Sequence, residues 1–309
     1  MEGYKVLLEY KITENDQNLS VKDVLKRRLN ISNRLITKLK VNKKIFVDDN
    51  IAFINEVPNL NSTIRVYIEF DEEDYTTPQE GNLDILYEDE YFLAVNKPAN
   101  MVVHPCSYHL ENTLANYVKF YLGNNKKVRP INRLDNGTSG IVLFAKNEYV
   151  QEAFKNLSEK PEKVYIAVVY GIFEEKEGTI CLPIARKAES IIEREVNIEA
   201  GQESITHYKV IKEDNLYGVP ISIVKVVLET GRTHQIRVHM SHIGHSLVGD
   251  TLYVDEKVNA YFEENNVNIA DSFENQALHA YKLKFKHPIL SEIIEIEAPL
   301  PENIVKLKM

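Results

Sequence analysis

The fold of this chain is decided around one stretch, RPINRLDNGTSGIVLFAK, residues 129–146. Arg133 and Asp135 stand two residues apart in its glycine-rich turn, and Ile141–Phe144 is an apolar run that predicts a buried strand. A carboxylate on such a turn projects away from the sheet, and the strand that follows fixes the position of the turn. Such an arrangement can present a nucleophile. Asp-Asn-Gly is also an ordinary hairpin turn, because Asn and Gly tolerate positive φ. Turn chemistry alone leaves both interpretations open.

Three further segments complete a pattern. They are EKVYIAVVYG (residues 162–171), TGRTHQIRVHM continuing into SHIGHSLVGD (230–250), and ALHA with FKHP (277–280 and 285–288). With the first stretch they resemble, in order and spacing, the motifs of the RluA-type pseudouridine synthases, which include R-L-D-x-x-T-S-G, K-x-Y-x-A and G-R-T-H-Q-I-R-V-H. Chance rarely preserves both order and spacing, so the four blocks together are a specific signal over about residues 82–300.

The resemblance implies an isomerase that converts uridine to pseudouridine in RNA. An RluD-like protein acting on large-subunit ribosomal RNA is the first expectation, with transfer RNA as the alternative substrate. The reaction breaks the bond from N1 to C1′, rotates the base and rebuilds the link through C5. Nothing is oxidised and no group is imported, so we expect neither a cofactor nor a metal. It does need an anion near the sugar or ring and a pocket for an unstacked base.

Three residues are expected to carry the chemistry. The resemblance implies that Asp135 is the essential nucleophile or base, and three courses stay open to it: bonding to the sugar, bonding to the ring, or taking a sugar proton. Arg237 is its natural partner, because a guanidinium can hold a carboxylate with parallel hydrogen bonds and keep it ionised. Tyr165 offers a ring for stacking the uracil and a hydroxyl for proton handling.

Four neighbours are predicted to contact RNA. Arg133 could hold the space left by the flipped base or bind a phosphate. Lys163 could support the carboxylate or face solvent, and Arg232 belongs to the same motif as Arg237. The family commonly has histidine where this chain has Asn132, so a general acid at that position is excluded. Asparagine keeps a structural or RNA-positioning role.

The charge distribution suggests where RNA binds. The chain carries 37 Lys and Arg against 46 Asp and Glu, a net charge of −9, which is unusual for a protein that binds a polyanion. Ser20–Lys44 nevertheless contains nine basic residues and one acid, a local charge of +8. Two amphipathic helices are predicted there, with basic faces in solvent. The candidate phosphate contacts are Lys26, Arg27, Arg34 and Lys38.

Two domains are expected. Residues 1–76 resemble the S4 RNA-binding domain that often precedes this catalytic domain, and residues 77–309 form the catalytic domain. Nine acids between Asp71 and Glu90, without a Lys or Arg, predict a linker with its boundary near Thr77. The alternatives are that the basic helices are simply solvated, or that the catalytic domain has its own basic cleft. The latter would use Arg129, Arg133, Lys146, Lys163, Arg232 and Arg237.

Beyond the boundary, strand runs with few long helices predict an α+β domain with a mixed, mainly antiparallel sheet. Expected strands and helices alternate along it. The strands are 85–87, 92–98, 142–145, 164–170, 221–228 and 293–298, and the helices are 113–121, 148–159 and 234–243.

Other classes of function are disfavoured. His239 and His242 could share a helix face, but no H-E-x-x-H pattern is present, so no metal site and no metal-dependent hydrolase is expected. A non-catalytic RNA-binding or ribosome-assembly factor would be favoured only by loss of a catalytic residue.

Cys106 and Cys181 lack metal-ligand spacing and predict free thiols. With no secretory segment at Met1–Lys5 and no apolar run of about 20 residues, we expect a cytoplasmic, monomeric protein whose partner is RNA, not a membrane.

Overall fold

The N-terminal unit is a small sheet covered by two helices. The computed structural model describes residues 6–68, 74–106, 109–123 and 126–307. Ser20 and Ser32 cap the two helices by accepting the backbone N–H groups of Asp23 and Leu35, so the helix starts predicted from these serines are confirmed. The strands form an antiparallel sheet of order β1-β4-β2-β3. The elements are β1 (Val6–Lys11), α1 (Val21–Arg27), α2 (Asn33–Val41), β2 (Ile45–Val47), β3 (Asn50–Ile51) and β4 (Thr63–Ile68).

The larger unit, which carries the motifs, is built on a ten-stranded sheet. Its strands and helices follow one another along the chain as β5 (Ile85–Glu88), β6 (Phe92–Lys97), α3 (Leu114–Leu122), β7 (Arg129–Pro130), β8 (Ser139–Ala145), α4 (Glu148–Lys155), β9 (Glu162–Tyr170), β10 (Glu177–Cys181), β11 (Ile184–Arg186), β12 (Arg194–Val196), β13 (Ile205–Leu216), β14 (Val219–Leu228), α5 (Gln235–His242), α6 (Glu256–Glu264), β15 (Leu278–Lys286), β16 (Ile293–Glu297) and α7 (Glu302–Val305).

The sheet order is β10-β13-β14-β9-β15-β8-β6-β5, with β16 beside β15 and β7 beside β8. Among the strands described, β8 and β15 form the one parallel pair, and the other pairings in this sheet are antiparallel. The predicted α+β class with a mixed, mainly antiparallel sheet is confirmed. The short hairpin of β11 and β12 stands apart from the main sheet as an arm.

A glycine sets the close approach of β8 to β15. Gly140 has φ +109°, and a Cβ there would lie 2.3 Å from the carbonyl oxygen of Ala280. Ala280 is also the cross-strand neighbour of Tyr165 in β9. Because only glycine fits this contact, the turn before β8 is brought beside the middle of β9. The sheet thus carries Asp135 towards Tyr165.

Two predictions about local structure need correction. The helix expected over 148–159 ends at Lys155, where Asn156 caps it with φ −96° and ψ 14°. Residues 71–73 of the acidic stretch lie outside the described residues, but Asp74 packs against the catalytic unit: it accepts the backbone N–H of Val128 at 2.9 Å and pairs with Lys119 at 3.4 Å. Each acid that finds a buried cation or N–H donor can pack, which a charge count cannot show.

The N-terminal unit packs directly on the catalytic unit. Lys38 Nζ lies 2.9 Å from Glu148 Oε2, and the Tyr149 hydroxyl donates to the carbonyl of Leu29 at 3.0 Å. Lys38 was expected to face solvent with its helix face, yet only 30% of its side chain is exposed. The expectation was wrong there because Glu148, at the start of α4, offers a carboxylate across the domain interface.

Candidate active site

Asp135 and Arg237 meet although 102 residues separate them in sequence. Arg237 Nη1 donates to Asp135 Oδ2 at 3.2 Å, and 28% of the aspartate side chain remains exposed. Asp135 lies on the turn before β8, whereas Arg237 projects from α5. The carboxylate is therefore held by a buried cation on one side and open to the pocket on the other.

Arg237 is itself fixed by Asp250. Its Nε and Nη2 donate to the two oxygens of Asp250 at 2.7 and 2.8 Å, a bidentate pair in which the aspartate side chain is fully buried. Burial by itself would lower the pKa of Arg237, but the hydrogen bonds to Asp250 and the charges of both aspartates outweigh it and raise that pKa. Arg237 is thus a permanent cation whose remaining donor faces Asp135.

Tyr165 closes another side of the pocket. It lines the same cavity as Asp135, Arg133 and Arg237. Burial, followed by the nearby charge of Asp135, raises the pKa of Tyr165 to about 12. The hydroxyl therefore keeps its proton at neutral pH, and the ring offers a flat apolar face to a base that enters the pocket.

The turn that carries Asp135 is held from beneath by buried donors. Lys97 is fully buried, and its ammonium donates to the carbonyls of Asn136, Pro98 and Met101 at 2.8–3.0 Å. Ser139 Oγ lies 2.8 Å from His279 Nδ1 at the far end of the turn. Backbone and side-chain bonds thus fix the turn, and with it the position of Asp135, before any substrate binds.

The sequence of this chain is similar to those of several known proteins. The family described as RNA pseudouridylate synthase matches residues 91–242. The "Uncharacterized RNA pseudouridine synthase YhcT" of Bacillus subtilis (strain 168) is 34% identical over 305 residues, 97% of this chain and 96% of that protein. The chain belongs to the RNA pseudouridine synthase family. It is therefore an RNA-modifying isomerase, in agreement with the resemblance to the RluA-type enzymes.

Two further similarities support this membership. The "Ribosomal large subunit pseudouridine synthase D" of Pseudomonas aeruginosa is 35% identical over 235 residues, covering 74% of this chain and 72% of that protein. Among solved structures, Human RNA Pseudouridylate Synthase Domain Containing 1 superposes with a TM-score of 0.58 at 26% identity, over 75% of this chain and 87% of that chain. The similarity to the human protein thus extends from sequence to fold.

Some of the residues predicted to contact RNA line the pocket of Asp135, and others do not. Arg133 is exposed and lines the pocket, and Arg232 also lines it while donating to the Glu203 carbonyl at 3.2 Å. Asn132 is engaged with β8: its amide donates to Ile141 O at 3.0 Å and accepts the Leu143 N–H at 2.8 Å. This geometry supports the structural role left open for that asparagine.

Other basic residues proposed for a cleft are dispersed. Burial lowers the pKa of Lys163, whose ammonium lies near Gly231. Lys146 pairs with Glu88 at 2.7 Å, and Arg129 donates to the Lys127 carbonyl at 3.0 Å. Lys146 and Arg129 are thus outside the residues that line the pocket.

The four N-terminal candidates also differ in surroundings. Lys26 and Arg27 are exposed at the end of α1. Arg34 is 85% exposed, 3.6 Å from Glu148, which also binds Lys38. The same helix pair thus presents one set of cations to solvent and another to the domain interface.

One of the histidines considered for a metal site is bound to other groups of the protein. His239 is buried with both ring nitrogens engaged, Nδ1 to Thr206 Oγ1 and Nε2 to the Leu182 carbonyl, each at 2.9 Å. Within the parts of the chain that the structure describes, no three His, Cys, Asp or Glu side chains are grouped as metal ligands. In the same ranges, no helix is long and apolar enough to cross a membrane.

Sequence reasoning missed several members of the site. Lys97 falls within the strand predicted over 92–98, and His234 and Asp250 fall within the matched segment 230–250, but none of the three was given a role. Tyr253 was not singled out. The one available signal was that Asp250 and His234 fall inside the matched 230–250 segment, because contacts across 13 or more residues carry no local periodicity.

Proposed function

We propose that this synthase isomerises uridines in large-subunit ribosomal RNA, with the carboxylate of Asp135 as the reacting group. The single observation that carries the proposal is the Asp135–Arg237 pair inside a pocket bordered by Tyr165. A relative of this chain, 35% identical, bears the name ribosomal large subunit pseudouridine synthase D. Ribosomal RNA is therefore the first substrate to test.

The pocket fits the demands of the isomerisation. Uridine and pseudouridine have the same atoms: the N1–C1′ bond is replaced by a C5–C1′ bond, C5 loses a proton and N1 gains one. Whether Asp135 bonds to the sugar, bonds to the ring or takes a sugar proton, each course needs an anion held in a fixed place. Arg237 provides the counter-charge without covering the free side of the carboxylate.

Tyr165 supplies the surface for the base. Its ring lies in the middle of β9, opposite Ala280 and Val226, so the backbone of three strands fixes its position. A uracil taken out of its stack loses a few kcal/mol of stacking, which an aromatic face in the pocket offsets. Arg133, which is exposed and lines the pocket, would hold the vacated position in the RNA.

A basic cleft beside the pocket suits the RNA backbone. Arg186 and Arg194 stand directly opposite each other on β11 and β12, and with Arg232 they line a cleft of about 430 Å³. The described lining of this cleft contains no carboxylate. Like charges opposite each other destabilise a strand pair, so a bound phosphate would relieve this repulsion.

The N-terminal unit adds a second RNA-binding surface in this proposal. Its resemblance to the S4 domain and the exposed Lys26 and Arg27 support it. Because Lys38 forms an ion pair with Glu148, α2 binds the catalytic unit as well as carrying positive charge. The two units would then grip one RNA from neighbouring surfaces.

Pseudouridine mapping tests the proposal. Cells lacking this gene, complemented with wild type or Asp135→Asn, should show one or a few large-subunit uridines that are modified only with the wild type. Modified sites found in transfer RNA instead would change the proposed substrate and leave the proposed reaction unchanged. Identical maps in all three strains, together with no activity of the purified protein on ribosomal RNA transcripts, would contradict the proposed function.

A further inference from the structure

His234 is a second group beside the reacting carboxylate. His234 is the residue that precedes α5, and its Nε2 lies 3.8 Å from Asp135 Oδ2. The backbone of His234 is held in the left-handed region, with φ 56°, which is uncommon for a residue other than glycine. A movement of about 1 Å would bring the ring within hydrogen-bond distance of the carboxylate.

The usefulness of that contact depends on which nitrogen carries the proton. Burial is the largest influence and lowers the pKa of His234 below its ordinary value; the charges of Arg237 and Arg194 act in the same direction, and those of Asp135 and Asp250 oppose it. A neutral imidazole has one N–H. If Nε2 carries it, the ring donates to Asp135; if Nδ1 carries it, a lone pair faces the carboxylate.

Tyr253 decides between these two forms. Its hydroxyl oxygen lies 3.0 Å from His234 Nδ1 and accepts the backbone N–H of Arg194 at 2.9 Å. The Arg194 N–H can only donate, so the hydroxyl proton remains available for Nδ1. A hydroxyl that donates to Nδ1 leaves the imidazole proton on Nε2, the nitrogen that faces Asp135.

The same tyrosine also contacts the other partner of Asp135. Its ring lies 5.1 Å from the Arg237 guanidinium carbon, and its backbone N–H donates to Asp250 at 3.1 Å. The ring and backbone thus help to place Arg237, while the hydroxyl acts on His234. Replacement of the hydroxyl alone separates the two roles.

We propose that Tyr253 is a positioning residue: its hydroxyl holds His234 as the Nε2–H form, so that Asp135 gains a second hydrogen-bond donor when RNA closes the pocket. The inference rests on the proposed role of Asp135. It also connects the arm of β11 and β12 to the carboxylate, because Arg194 of β12 donates to the same hydroxyl. Displacement of the arm by RNA would act on His234 through this oxygen.

Nitrogen NMR of the imidazole side chains tests the tautomer without any substrate. Long-range ¹⁵N–¹H spectra report which ring nitrogen is protonated, and the His234 signal is assigned by its loss in His234→Gln. We expect Nε2–H in the wild type and a shift towards Nδ1–H in Tyr253→Phe. An Nδ1–H form in the wild type, or the same tautomer in both proteins, would overturn the proposal.

Kinetics on a large-subunit RNA transcript test the consequence. Tyr253→Phe should lower kcat about 10-fold or more with KM unchanged, and in a His234→Gln background it should cost nothing further. Tyr281→Phe is the matched control, because that hydroxyl donates to Glu297 at the end of β16 and Tyr281 does not line the pocket. Additive losses in the double variant, or full kcat for Tyr253→Phe, would refute the positioning role. A wild type without activity would refute the proposed function instead, while the spectra would still decide the tautomer.

Discussion

Asp250 takes two of the three hydrogen-bonding groups of Arg237 and leaves the third for Asp135. The bonds to Asp250 are 2.7 and 2.8 Å, and the bond to Asp135 is 3.2 Å. Burial would raise the pKa of Asp250, but the hydrogen bonds and charge of Arg237 outweigh it and lower that pKa. The guanidinium is thus oriented before RNA arrives, which removes a cost of ordering from the reaction.

Asp250→Asn should therefore harm both stability and catalysis. It leaves a buried guanidinium without its main counter-charge, which costs about 3–5 kcal/mol of unfolding free energy. Urea unfolding measures the loss, and kcat should fall with it. In the double variant Arg237→Met/Asp250→Leu, much of the stability should return while activity stays absent. Equal stability of Asp250→Asn and wild type would contradict this account.

Asp135→Asn should abolish turnover and spare the fold. The substitution keeps size and hydrogen-bonding capacity but removes the anion, so kcat should drop on the order of 10³-fold or more, with little change in RNA affinity. Single-turnover assays and filter binding on one ribosomal RNA transcript separate the two effects. Asp271→Asn, a substitution of the same kind at a residue that does not line the pocket of Asp135, serves as the control. Turnover near wild type in Asp135→Asn would exclude the carboxylate as the reacting group.

Tyr165→Phe should retain RNA binding and lose most turnover. The ring stays available for stacking, whereas the hydroxyl, protonated at neutral pH because its pKa is raised to about 12, is removed. A loss of about 10²-fold in kcat is the expected size for a group that handles a proton. If kcat is unchanged, Tyr165 contributes only packing and stacking.

The buried Lys97 should make the unfolding free energy of the protein depend on pH. Burial lowers the pKa of Lys97 to about 7 from 10.5, with Asp135 opposing the shift. Between these two values the unfolded chain holds a proton that the folded protein has released, so the unfolding free energy should rise with pH in this window. Below about pH 7 both states are protonated and the contribution is flat.

The comparison of wild type with Lys97→Met isolates this contribution. The difference between their unfolding free energies, measured by urea titration at several pH values, should become more favourable to the wild type from pH 7 to pH 10. A constant difference across that range would show that Lys97 keeps its proton when folded. In that case its three carbonyl contacts outweigh burial.

Substitutions in the two N-terminal helices should differ in their effect on the salt dependence of RNA binding. Lys26→Gln/Arg27→Gln should weaken binding to large-subunit RNA and lower the salt slope by about 0.7–0.9 for each lost phosphate contact. Lys38→Gln is the matched control, because its ammonium binds Glu148. The control should lower stability and leave the slope unchanged. An unchanged slope in the double variant would show that α1 does not grip RNA.

Local sequence predicted much of this protein. Ser20 and Ser32 set the helix starts in the N-terminal unit, because the capping bond joins residues three apart. The alternation and runs of apolar residues predicted six strands of the catalytic sheet, which are β5, β6, β8, β9, β14 and β16, but not β7, β10, β13 or β15. The matched motifs singled out Asp135, Tyr165 and Arg237. The end of α4 and the environment of Lys38 were not predictable in this way, since both depend on what packs against them.

The sequence by itself determined the family and the class of sheet, and it singled out the side chains that are proposed to react, because each of these signals lies in short stretches of the chain. The tertiary structure alone decided that Asp250 orients Arg237, that Tyr253 faces His234 and that Lys97 supports the turn of Asp135. These contacts join separate elements of the fold. Their energies come from burial and from the exclusion of water, which exist only once the chain has folded.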